Sequence, residues 1–151
     1  MAQLHEYPVT VQWTGGRDGG GSVSADHSGV SNPLSVPAEF QGPGNGTNPE
    51  ELLTSAIAGC YSMTFGIIAG NQKLPVTNLE VKAVGEVEQA GMQFTYKKVT
   101  IRPRITVSSD ATDDQIAKVR DMSHKADAYC IITNAVRGKV EITVEEDIVK
   151  G

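Results

Sequence analysis

The stretch "NPEELLTSAIAGCYSMTFGIIAGNQKLP", residues 48–75, decides the architecture of this 151-residue chain. Asn48 reads as a helix N-cap, Pro49 suits the first helical position, and Glu50 and Glu51 oppose the positive end of the helix dipole. Leu52, Leu53, Ala56, Ile57, Cys60, Met63, Thr64, Ile67 and Ile68 then recur at spacings of three and four, the period of one helix face. The other face (Ser55, Ala58, Gly59, Ser62, Gly66) is small rather than charged. A helix with no charged side is expected to be buried deeply, against another copy of itself. Gly70, Asn71 and Pro75 end it.

Working outward, the flanking segments read as strands. "TNLEVKAVGEVEQ" alternates Leu79, Val81, Ala83 and Val87 against charged neighbours, and "AG" at 90–91 turns it into "MQFTYKKVTIRPRITVSS". The pair predicts an antiparallel hairpin. "TDDQIAKVRDMSHKAD" predicts a second helix, opened by Thr112 and Gln115 as a capping box. "KVEITVEE" predicts a closing strand. Before the long helix, "PVTVQWT" (8–14) reads as a strand. The Gly-, Ser- and Pro-rich tract after it carries Val23, Val30, Leu34, Val36 and Phe40 at intervals that suit short strands joined by tight turns. Strands, long helix, hairpin, helix, strand make an α+β fold, because strands do not alternate singly with helices. One domain over 1–151 is expected, long enough to bury its own core.

Composition narrows the partners. A formal net charge of −5, with no run of basic residues longer than two, argues against nucleic acid or an anionic membrane surface. The start, "MAQLHEYPVTVQW", lacks a basic region followed by an apolar one, and residues 52–69 are interrupted by Thr, Ser, Gly and Tyr, so a cytoplasmic location is expected. Two cysteines and three scattered histidines leave no zinc-ligand spacing.

The chemistry therefore rests on Cys60 and Cys130. A cysteine on an apolar helix face is usually a small hydrophobe, and Ile131 and Ile132 make the same packing role available to Cys130. Reactivity needs a thiolate, which burial alone disfavours. The helix dipole fades within one turn, whereas Cys60 lies about ten residues, or roughly 15 Å, beyond the helix start. A reactive Cys60 thus needs a cation carried by another segment. Arg17, in a glycine-dense loop, is the candidate, with Glu50 able to hold its planar guanidinium. Equally, Arg17-Asp18 reads as a solvated turn and Glu50 as a first-turn acid, and Arg102, Arg104, Arg120 and Arg137 as solvated surface charges.

Three stretches together, "TGGRDG" (14–19), "TNPEELLTSAIAGCYSM" (47–63) and "YCIITNAVRGKVEI" (129–142), resemble the OsmC/Ohr family of thiol-dependent peroxidases. The match runs over nearly the whole chain in the expected order, with the first and third stretches nearer the organic hydroperoxide resistance branch. The resemblance implies an intertwined homodimer in which antiparallel sheets wrap long central helices. It implies Cys60 as the peroxidatic cysteine, Cys130 as the resolving one, and Arg17 and Glu50 as supports of the thiolate. No metal, haem or flavin is implied; the reductant is an external dithiol of lipoyl type. One departure stands out: the family usually places proline directly after the second cysteine, where this chain has Ile131.

The expected reaction is reduction of an organic peroxide through a Cys60 sulfenic acid and a Cys60–Cys130 disulfide. Ile57, Met63 and Phe65 near Cys60, with Tyr61 and Tyr129 flanking the cysteines, are expected to line an apolar substrate pocket. A peroxide-responsive redox sensor would use the same thiols without turnover. A small apolar-ligand binding protein would leave them inert.

Overall fold

The computed structural model describes all residues, 1–151, which group into two compact units, Met1–Leu52 and Leu53–Gly151. In the first unit, β1 (Val9–Thr14), β2 (Gly20–Ala25) and β3 (Ser31–Leu34) form a three-stranded antiparallel sheet in the order β1-β2-β3. The glycine-rich tract is thus built rather than loose. Gly15 takes φ +94, and the Gly19 N–H closes the β1–β2 turn on the Gly16 carbonyl at 3.0 Å. A Cβ on Gly19 would run into the Thr14 carbonyl, so the turn needs glycine there. Pro33 sits in the outer strand β3, on the side away from β2, where its carbonyl accepts the Thr47 N–H at 2.9 Å.

The long helix α1 runs Pro49–Asn71. Its start is as the sequence predicts: Asn48 Oδ1 accepts the Glu51 N–H at 2.8 Å. Its burial differs. The sealed stripe is Ile57, Tyr61, Phe65 and Ala69, one residue every four, while Met63 and Ile67 are 70 % and 61 % exposed in the single chain. Large aromatic side chains displaced the smaller apolar positions as the inward line, because burying a ring removes more apolar area from water. An 18-residue window of the 23-residue helix has a mean hydropathy of 1.6 and meets the length and composition of a membrane span, more than its interrupted sequence suggests. Four side chains sealed in a core mark it as a core helix instead.

The second unit is organised by the hairpin of β4 (Val76–Ala90) and β5 (Gln93–Val107), antiparallel along its length, with Gly91 at φ +65 in the turn. Alternation decides which face is wet. Leu79, Val81, Ala83 and Val87 are half-buried between exposed neighbours, and Val99, Ile101, Ile105 and Val107 of β5 are fully buried. These residues form one core cluster with the α1 stripe and with Val119 of α2 (Asp113–Lys125). The α2 capping box is present as expected, with Thr112 and Gln115 each bonding the other's backbone N–H. Gly85, inside β4, leaves room for the Tyr96 hydroxyl to meet Thr54 Oγ1 of α1 at 2.5 Å; a Cβ there would strike both.

Two features go beyond the sequence reading. The short helix α3 (Ile131–Val136) follows a 3₁₀ turn at Ala126–Tyr129. The C-terminus supplies two strands rather than one, β6 (Glu141–Val144) and β7 (Asp147–Lys150), and both pair with β5 in parallel. The second sheet is therefore mixed, where purely antiparallel pairing was expected. The chain returns through α2 and α3 before β6, and such a crossover brings a strand back parallel to β5.

Candidate active site

Cys60 lies on the flank of α1, half-buried, one position before Tyr61 of the inward stripe. Cys130 is fully buried between the 3₁₀ turn and α3. Both thiols are free, and the fold brings them close enough for each to influence the other's ionisation. The local sequence explains how Cys130 is held. With φ −80 and ψ 117 it is the extended residue that caps α3, and its Sγ accepts the Thr133 N–H at 3.3 Å. Sulfur thereby takes the part that a serine or aspartate oxygen plays at an N-cap.

The two sulfurs differ in their surroundings. Burial pushes the Cys60 thiol up, but four donors outweigh it: the Cys130 thiol, the Ile132 N–H, the Thr64 hydroxyl and the Ile131 N–H. Its net position is below the ordinary thiol value of 9.0. Burial also raises Cys130, and there the hydrogen bond to Cys60 adds to the rise, while the Thr133 hydroxyl and N–H only partly offset it. Hydrogen bonds donated to a sulfur favour its anion, whereas donating one holds the proton on. Of the two, Cys60 is thus the sulfur whose anion is favoured and Cys130 the one that holds its proton more firmly.

Arg17 and Glu50 belong to the first unit. Arg17 stands in the β1–β2 turn and donates from Nη1 to Gln41 Oε1 at 3.4 Å. Gln41 itself holds a left-handed backbone, φ +65, at the end of the 3₁₀ turn Ala38–Phe40. Glu50 is the second residue of α1, in its acidic first turn. Arg102 and Arg137 are about half exposed and engage Glu145 and Asp127, in line with their reading as surface charges. No group of three or more His, Cys, Asp or Glu side chains is gathered in a way that could hold a metal ion.

A cavity of about 420 Å³ opens beside the thiols, lined by Thr64, Ile67, Ile68, Gln72, Met122 and Tyr129. Thr64 belongs both to this cavity and to the Cys60 hydrogen bonds, so the space begins one helical turn beyond the sulfur. The lining corrects the sequence expectation. Ile57 and Phe65 are sealed in the core, as is Tyr61, whose hydroxyl donates to the Ser123 carbonyl at 2.6 Å; Met63 points outward. Only Tyr129 of that set lines the cavity. Thr64, Ile67 and Ile68 carry a signal in hindsight, since they lie four, seven and eight residues after Cys60 and so share its helix face.

Residues 42–145 match the family model described as OsmC-like protein. Among relatives, a Bacillus subtilis protein named YmaD, itself uncharacterized, is 34 % identical over 151 residues, covering 100 % of this chain and 99 % of its own. The peroxiredoxin OsmC of Escherichia coli is 32 % identical, covering 89 % of this chain and 91 % of its own. An organic hydroperoxide resistance protein of Xanthomonas axonopodis is 30 % identical, with coverages of 91 % and 92 %. The crystal structure of an organic hydroperoxide resistance protein OsmC from Legionella pneumophila superposes with a TM-score of 0.76 over 97 % of this chain and 99 % of that one, at 22 % identity. A family match over most of the chain, joined to a superposable fold, makes this protein a member of the OsmC-like family.

Proposed function

We propose that this protein is a cysteine-based peroxidase that reduces organic hydroperoxides in two thiol steps, acting as one functional domain across both units. The observation that carries the reading is the pair of free thiols from distant parts of the chain: a half-buried Cys60 whose ionisation is eased, near a fully buried Cys130 whose ionisation is opposed. The names of the Escherichia coli and Xanthomonas relatives, a peroxiredoxin and an organic hydroperoxide resistance protein, support it.

In the first step the Cys60 thiolate attacks one peroxide oxygen. The S–O bond forms as the O–O bond breaks, and the departing alkoxide takes up a proton to leave as an alcohol. In the second, Cys130 sulfur attacks the Cys60 sulfenic acid; the S–S bond forms, and the Cys130 proton leaves with the hydroxyl as water. An external dithiol of lipoyl type then exchanges with the disulfide, restoring both thiols and becoming a disulfide itself. Arg17, with Glu50 holding its guanidinium, stabilises the thiolate and the charge on the departing oxygen. This assignment rests on the "TGGRDG" and "NPEELL" stretches, which match the family's motifs.

The cavity that begins at Thr64 suits an alkyl chain, because Ile67, Ile68 and Met122 line it. Each methylene buried there gains about 0.8 kcal/mol, so alkyl or fatty-acid hydroperoxides are preferred over hydrogen peroxide. The protein works as a homodimer. Met63 and Ile67 on α1 and Val9, Val11 and Trp13 on β1 are large apolar side chains exposed in the single chain, more than an isolated protein usually leaves bare. Free thiols fit a reducing, cytoplasmic setting.

The test is steady-state consumption of cumene hydroperoxide with dihydrolipoamide as reductant. Sustained turnover is expected, with loss of about 10³-fold or more in Cys60→Ser, since the weakly acidic hydroxyl cannot replace the thiolate. Undiminished turnover in that variant would remove the mechanism. Oxidation of the parent protein once per chain, without turnover, would make it a sensor.

A further inference from the structure

The two sulfurs of the proposed disulfide are not equally open. Cys60 is half-buried on the flank of α1, one residue before the sealed Tyr61. Cys130 is 0 % exposed, and so are Ala126 and Thr133, which bracket it in the chain. Exchange needs an incoming thiolate to approach one sulfur in line, from the side opposite the bond that breaks. With Cys130 on the inner side, the open approach to Cys60 comes from outside. The matching approach to Cys130 would have to pass through packed side chains. The cavity supplies the lane to Cys60: Thr64, four residues on and on the same helix face, lines it together with Ile67, Ile68 and Met122. A dithiol carried on an alkyl arm suits that apolar lining as well as the chain of a peroxide does.

We propose that the external dithiol enters by the cavity that begins at Thr64 and attacks Cys60 Sγ rather than Cys130 Sγ, so that peroxide and reductant reach one sulfur by one door. The inference rests on the reading of the two cysteines as a catalytic disulfide. One thiolate of the dithiol forms an S–S bond with Cys60 as the Cys60–Cys130 bond breaks, and the departing Cys130 sulfur takes up a proton. The second thiol gives up its proton and attacks the dithiol sulfur held on Cys60. The dithiol closes to its own disulfide, oxidised by the two electrons that the protein gains, and Cys60 leaves as thiolate.

Leaving-group acidity pulls the other way. Burial opposes the ionisation of Cys130, which makes it the poorer group to expel. Leaving-group strength only scales a rate, whereas a sulfur that no thiolate can touch has no rate to scale. Access therefore decides.

Two full-length variants, Cys130→Ser and Cys60→Ser, isolate access. Each is loaded with thionitrobenzoate as a mixed disulfide on its remaining cysteine, in urea before refolding. The leaving group is then the same in both, and its release by dihydrolipoamide is followed by absorbance. Release from Cys60 is expected to be about 100-fold faster than from Cys130. Equal rates would overturn the proposal. Should the variant loaded at Cys130 fail to refold, the parent protein supplies the measurement. It is oxidised with diamide, exposed briefly to mercaptoethanol, quenched in acid to protonate the thiolates, and mapped by peptide mass. The mixed disulfide must sit on Cys60; one on Cys130 overturns the proposal. Neither measurement needs peroxide, so exchange selective for Cys60 without peroxide turnover would sink the peroxidase reading and leave this one standing. Turnover with exchange at Cys130 would do the reverse.

Discussion

At the scale of single residues, the neighbour of Cys60 does much of the positioning. Tyr61 is fully buried, its ring stacks with Phe65 at 6.4 Å, and its hydroxyl donates to the Ser123 carbonyl of α2 at 2.6 Å. Burial raises its phenol well above the usual value, and the negative charges of Asp127 and Glu146 add to the rise, so the proton needed for that bond stays in place. Tyr61 thereby ties the middle of α1 to α2. Tyr61→Phe keeps the ring and leaves the Ser123 carbonyl buried without this donor. The expected cost is about 1–3 kcal/mol, read as a lower denaturation midpoint in urea with an unchanged slope.

Between elements, the contact most open to pH joins α2 to the connection between β6 and β7. Glu146 lies there and accepts from two α2 residues four apart, His124 Nε2 at 2.8 Å and Arg120 Nε at 3.3 Å. Burial alone would raise its carboxyl, but its own backbone N–H, His124 and Arg120 outweigh that and hold it below the ordinary 4.5. A carboxylate lowered in the folded state adds stability that is fully present above its unfolded value and fades as pH falls through the folded one. Glu146→Gln is therefore expected to cost about 1 kcal/mol at pH 7, modest because Arg120 and His124 are half exposed. The difference between parent and variant should close as the pH is taken below 4.5. Denaturation curves at pH 7 and pH 3.5 measure it; a gap that persists in acid would mean that the charge is not what matters.

For the whole molecule, the main issue is what covers the outward side of α1. Its inward stripe is satisfied within the chain, while Met63 and Ile67 on other faces meet water at 70 % and 61 % exposure. Two copies related by a twofold axis would bury such a surface against itself. Light scattering on the purified protein is expected to report twice the 16.0 kDa chain mass. Met63→Lys should shift that mass toward the single chain at micromolar concentration, because an unpaired ammonium in a seam must be desolvated. A parent protein of single-chain mass at every concentration would leave the apolar faces unexplained.

The local signals were legible because each is spoken by a few adjacent residues. Asn48 and Pro49 start α1, Thr112 and Gln115 start α2, and the alternation through Leu79, Val81 and Ala83 gives one face of β4; the structure has all three. The motif around Cys60, with those around Arg17 and Cys130, also carried the family. Tertiary structure alone decided the rest: which four residues of α1 face the core, that β6 and β7 join β5 in parallel, and that Cys130 comes near Cys60. The physical reason is common to them. An inward face, a strand's direction and the meeting of two distant thiols are each chosen by competition among segments distant in the chain, and no single segment holds the energies of the alternatives.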